Sequence, residues 1–147
     1  MVETVSLTIQ HIREAFPLTA PPMPDWENCR GVADFVERFG DEFFLEFWPY
    51  MLDDLDISAF LLPFLMEYFL ITPMNEEDKS TAAYHFVRQL DPVLQIEVQK
   101  DLALQQFYDK FDGAQKSAIC GWLNLLEKAL ILEIETTKKY WCRKVEV

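Results

Sequence analysis

A carboxylate set in an apolar helix is well suited to acid–base work, and Glu67 stands among Phe60, Pro63, Phe64 and Ile71. A carboxyl buried there without a partner favours its protonated form and could serve as acid or base. Two other readings are open: a strip of helix that reaches solvent, or a pair with an arginine. Metal chemistry has less to work with. A zinc site wants His or Cys at i, i+4 spacing or paired C-x-x-C elements. His11, with Glu14 three residues on, and His85, between Tyr84 and Phe86, have no such companions. Asp53-Asp54-Leu55-Asp56 is rich in oxygen ligands but lacks the alternating spacing and central glycine of a calcium loop, so these residues are expected to cap a loop. No Gly-rich phosphate loop and no G-x-S-x-G turn is present. The expectation is no catalytic, cofactor or metal residue.

Cys29, Cys120 and Cys142 form no C-x-x-C pair and are odd in number. Three free thiols in a reducing compartment follow as the simplest expectation, with Cys120 as packing. The opening Met1-Val2-Glu3-Thr4-Val5 carries an acid and no basic region, unlike a secretory signal. Both point to a cytoplasmic protein.

The charge is lopsided. Residues 1–78 hold 16 acids against 3 arginines, whereas residues 79–147 hold 9 acids against 10 bases. Between Phe39 and Asp78 lie ten acids, no Lys, Arg or His, and ten of the 21 aromatics. Such a field repels nucleic acid and anionic lipid and attracts cations. It is either a solvated face that confers solubility or a docking surface for a basic protein. The residues for docking are Asp41, Glu42, Glu46, Phe47, Trp48, Tyr50, Asp53, Asp54 and Asp56.

Helices must position these groups. A chain of 147 residues with 50% apolar content and 4 glycines suits one helical domain spanning residues 1–147. Val5, Ile9, Ile12 and Phe16 share one helical face, with Thr4 or Ser6 able to cap it and Pro17 to stop it. Pro21, Pro22 and Pro24 mark a connector. Asn28 is expected to cap a second helix with Val32, Phe35, Val36 and Phe39 as its stripe and Gly40 as its stop. Residues 41–56 fit a short helix or an irregular arm. Ile57 to Ile71, 15 residues, is too short for the roughly 20 a bilayer span needs. Being apolar around its circumference, it belongs at the centre, with Pro63 in its first turn or two. Ser80 to Leu90 reads as a further short helix. Val93 to Phe111 reads as one helix with two buried stripes: Ile96, Ala103, Phe107 and Phe111, and Leu94, Val98 and Leu102. Asp112 and Gln115 are spaced as a capping box ahead of Ala118, Ile119, Trp122, Leu126, Ala129 and Leu130, and Tyr140 and Trp141 anchor a last segment. The expected fold is all-α, six or seven helices around a central hydrophobic helix.

In order, Glu14-Ala15-Phe16-Pro17, Phe60-Leu61-Leu62-Pro63-Phe64, Gln115-Lys116-Ser117-Ala118-Ile119 and Tyr140-Trp141 resemble an uncharacterised bacterial all-helical family, a domain of unknown function. The stretch from Glu42 to Asp56 departs from it. The resemblance implies a helical fold and no assigned activity. The leading expectation is a non-enzymatic acidic binding module, of the kind that neutralises toxins or inhibits nucleic-acid enzymes, docking a basic protein and neither nucleic acid nor membrane. Two alternatives stand beside it: a small helical enzyme using buried carboxylates such as Glu67, and a structural subunit of a homo-oligomer.

Overall fold

Because its apolar residues cover the whole circumference, the segment around Pro63 cannot sit at a surface, and it forms the axis of the molecule. The computed structural model describes residues 2–17, 21–40, 42–46, 52–71, 77–130 and 134–142. Among the described residues there are nine α-helices and one 3-10 turn: α1 (Val2–Ala15), η1 (Pro24–Trp26), α2 (Val32–Phe39), α3 (Glu42–Glu46), α4 (Leu55–Ile71), α5 (Glu77–Arg88), α6 (Pro92–Glu97), α7 (Asp101–Asp109), α8 (Gly113–Leu130) and α9 (Glu135–Trp141). The fold is all-α, and one buried hydrophobic cluster draws side chains from every α-helix except α6.

Helix α4 begins where Asp54 caps it: its carboxylate accepts from the Ile57 N–H at 3.2 Å and its carbonyl from the Ser58 N–H at 3.0 Å. Leu61, Leu62 and every residue from Phe64 to Leu70 are buried. Pro63 lies well inside the helix rather than in its first turns. Having no N–H, it leaves the Ala59 carbonyl without its intrahelical partner. Burial of Leu61, Leu62 and the run from Phe64 to Leu70 on either side of it holds the helix together there.

Around this axis α1 lays Ile12 into the core and packs on α4 and α8. It starts at Val2, so Thr4 and Ser6 fall inside it and do not cap it. η1 sets Trp26 against Phe60, stacked at 5.9 Å. Gly31, not Asn28, is the N-cap of α2; Val32 and Phe35 are buried, whereas Val36 is half-buried and Phe39, expected in the buried stripe, is exposed at the helix end. Gly40 at φ 86° ends the helix, donating to the Val36 carbonyl. That positive φ is one a glycine tolerates without strain.

Helix α8 opens on the expected capping box: the Gln115 N–H donates to Asp112 Oδ1 at 2.8 Å, and the Asp112 N–H to Gln115 Oε1 at 3.0 Å. Its Trp122, fully buried, donates from Nε1 to the Met66 carbonyl at 3.0 Å, which fixes α8 on α4. Trp141 of α9 does the same across the core, donating to the Leu90 carbonyl at 3.0 Å. Buried indoles need such acceptors.

The single helix expected over residues 93–111 is two. Helix α6, capped by Asp91, gives way at Gln99, whose φ of 59° no α-helix accommodates. Helix α7 then restarts in a new register. Leu104, Phe107, Tyr108 and Phe111 turn inward, while Ile96, Val98 and Leu102, expected in buried stripes, face solvent.

The expectation of three free thiols is also overturned. Cys120 of α8 and Cys142, at the end of α9, are joined in a disulfide with Cα atoms 5.0 Å apart. Cys29 is the free one among the described residues, and it is buried. The free-thiol argument for a cytoplasmic location therefore falls away. No helix among the described residues is long and apolar enough to cross a membrane.

Candidate functional site

The acidic residues expected to form one docking surface divide into three groups. Asp41, Phe47, Trp48 and Tyr50 lie outside the described residues. Glu42 and Glu46 stand exposed one turn apart on α3 and form no ion pair among the described residues. Asp53, Asp54 and Asp56 are exposed at the start of α4, but two of them meet lysines of the second half of the chain. Lys100 Nζ lies 3.4 Å from Asp53 and Lys110 Nζ lies 2.6 Å from Asp56. Exposed pairs of this kind add little stability. Their effect is to lower the field that the sequence alone promised.

Nor do the neighbouring rings all face outward. Phe43 stacks on Phe35 at 5.5 Å and on Phe39 at 5.2 Å, and Phe44 stacks on Tyr68 at 4.8 Å. On the short helix α3, Phe43 and Phe44 serve the core.

An apolar centre exists elsewhere, and the sequence pattern concealed it. Val93, Ile96, Val98 and Leu102 are 50%, 62%, 51% and 69% exposed, which is half of the large hydrophobic side chains exposed among the described residues. They crowd the corner between α6 and α7. The acids Glu97 and Asp101 are exposed between them, and Lys100, in the same corner, is bridged to Asp53. The ion pair thus joins the acidic start of α4 to this apolar corner as one surface. Exposed aliphatic side chains grouped in this way are costly in water, and contiguous apolar patches mark interaction sites.

Glu67, the candidate acid or base, is 7% exposed and accepts a hydrogen bond from the Arg13 guanidinium, whose side chain stays largely in solvent. The arginine-paired reading is the one realised. The pair lies between two cavities along α1 and α4. One, of about 300 Å³, is lined by Arg13, Phe16, Arg30, Pro63, Phe64 and Glu67 among others. The other, of about 490 Å³, opens over Arg13, Glu14, Glu67 and Ile71. His85 lines neither. A further cavity of about 320 Å³ lies beyond Phe16 and Pro63, bordered by the Asp56–Lys110 pair.

Cys29 is unsuited to nucleophilic work. Burial pushes its thiol above its usual pKa, Arg38 pulls it back, and Asp34 pushes it up again; the thiolate is the reactive form. His11 is exposed on α1, and His85 stacks edge-on to Tyr84 at 5.5 Å. No three potential metal ligands come together among the described residues.

No family model, curated protein or solved structure matches the chain. The resemblance to a bacterial helical family gains no support from these comparisons, and function must be argued from the surface and the cavities themselves.

Proposed function

We propose that this protein is a binding module that docks a basic protein segment through the surface formed by the α6–α7 corner and the start of α4. The observation that carries this reading is the cluster of exposed Val93, Ile96, Val98 and Leu102 with Glu97 and Asp101 beside them. An apolar centre with a charged margin is the usual anatomy of a protein interface. The charge of this margin, extended by Asp54 while Asp53 is paired with Lys100, fits a partner that presents aliphatic side chains flanked by Lys or Arg. Acids would speed the encounter, and the aliphatic side chains would supply the contact area.

The test uses a synthetic amphipathic helix of Leu and Lys, with a Leu and Glu helix as its counterpart. The Lys peptide should bind, and its association should slow as salt rises. Leu102→Asp should abolish binding. Asn in place of Asp54, Glu97 and Asp101 should slow association and flatten the salt response. Equal binding of both peptides, or a response indifferent to salt, rejects the reading. The cellular setting is a separate question: the oxidation state of Cys120 and Cys142 in cells reports whether the protein works in a reducing cytoplasm or elsewhere.

A further inference from the structure

The cavity between α1 and α4 has an arrangement that docking does not use. Two arginines, Arg13 and Arg30, line it together with one acidic residue, Glu67. Glu67 is committed to Arg13 through Oε1. The Arg30 guanidinium has no ion-pair partner among the described residues; that residue bonds only through its backbone N–H, to Asp34 at 2.8 Å. Phe16, Pro63 and Phe64 supply apolar lining to the same cavity, and Phe64 is buried. The volume of about 300 Å³ is at the small end of ligand pockets, which are mostly apolar with a few orienting polar groups.

We propose that this cavity binds a small monocarboxylate with an apolar body. The carboxylate would bridge Arg30 and the free N–H groups of Arg13, and the body would lie on Phe16, Pro63 and Phe64. One positive charge in excess suits a monoanion. A dianion such as a phosphate ester would bring its second charge up against Glu67, and a cation would meet two arginines. Guanidinium–carboxylate contacts of this kind are charge-assisted and geometrically selective. Pro63 contributes shape: within α4 its ring takes the place of a backbone N–H, so that lining offers carbon in place of a donor.

The probe is phenylacetate, with phenylacetamide as its neutral counterpart and benzylammonium as its cationic one. Titration followed by the Gly31 amide and Phe64 ring resonances should show saturable binding of phenylacetate with a dissociation constant of about 1 mM or tighter. Arg30→Gln removes a guanidinium with no hydrogen bond or ion pair among the described residues, so its melting temperature should match the parent. Its affinity for phenylacetate should fall about tenfold or more, as expected for a lost charged hydrogen bond. The amide and the ammonium should show no saturable shift. No saturation by phenylacetate, equal binding of the amide, preferential binding of benzylammonium, or an unchanged affinity in Arg30→Gln each overturns the proposal.

Discussion

Breaking the Cys120–Cys142 bond is the perturbation whose size follows most directly from the fold. The bond closes a loop of 22 residues in sequence separation and ties the end of α9 to α8. Loop-closure entropy for that length corresponds to about 3 kcal/mol lost on reduction. For a chain of 147 residues the unfolding entropy near the midpoint is about 0.3 kcal/mol/K, so the midpoint should fall by about 10 °C. Helix α9 keeps other ties: Trp141 to the Leu90 carbonyl, Tyr140 to Gln105 at 2.9 Å, Thr136 to Asp91 at 3.0 Å and Lys138 to Glu127 at 2.7 Å. The reduced protein should therefore still fold and lose stability without losing helix content. Calorimetry with and without reductant, with Cys120→Ala/Cys142→Ala as the reductant-independent control, reads the effect. Should the parent melt at the same temperature in both conditions, and match the double variant, the bond contributes nothing and the placement of α9 against α8 is wrong.

Four further outcomes follow from single residues. Gln99→Gly relieves a side chain held at φ 59° and should stabilise by about 1 kcal/mol in urea unfolding. Ser58 is fully buried and its Oγ has no hydrogen-bond partner among the described residues, so Ser58→Ala should be neutral or stabilising by up to about 1 kcal/mol. Trp141→Phe removes the bond to the Leu90 carbonyl and leaves that acceptor buried, a loss of about 1–3 kcal/mol by thermal or urea unfolding. Cys29 keeps its proton in the folded state at pH values where the unfolded thiol, with its ordinary pKa of 9.0, has lost it. The stabilisation this gives is complete below that value and declines as pH rises beyond it. Relative to Cys29→Ala, the parent should lose stability on the alkaline side, and iodoacetamide should label Cys29 slowly at neutral pH.

Wherever a pattern is local, this sequence determines the structure by itself. Period placed α1 and its apolar face, the buried Val32 and Phe35 of α2 and the buried α4, Gly40 marked the stop of α2, and the capping box marked the Asp112–Gln115 start of α8, because neighbours three or four residues apart settle each of these. The tertiary structure decided what depends on residues distant in the chain. Asp53 and Asp56 find Lys100 and Lys110, Glu67 finds Arg13, and Cys120 finds Cys142. The turn at Gln99 carries no glycine or proline to announce it, so the sequence reads α6 and α7 as one helix and counts Ile96, Val98 and Leu102 as core. The new register of α7 buried Leu104 and Tyr108 and left those three in water. The candidate interface was illegible for that reason: it is made of side chains whose type predicts burial and whose backbone turns them out.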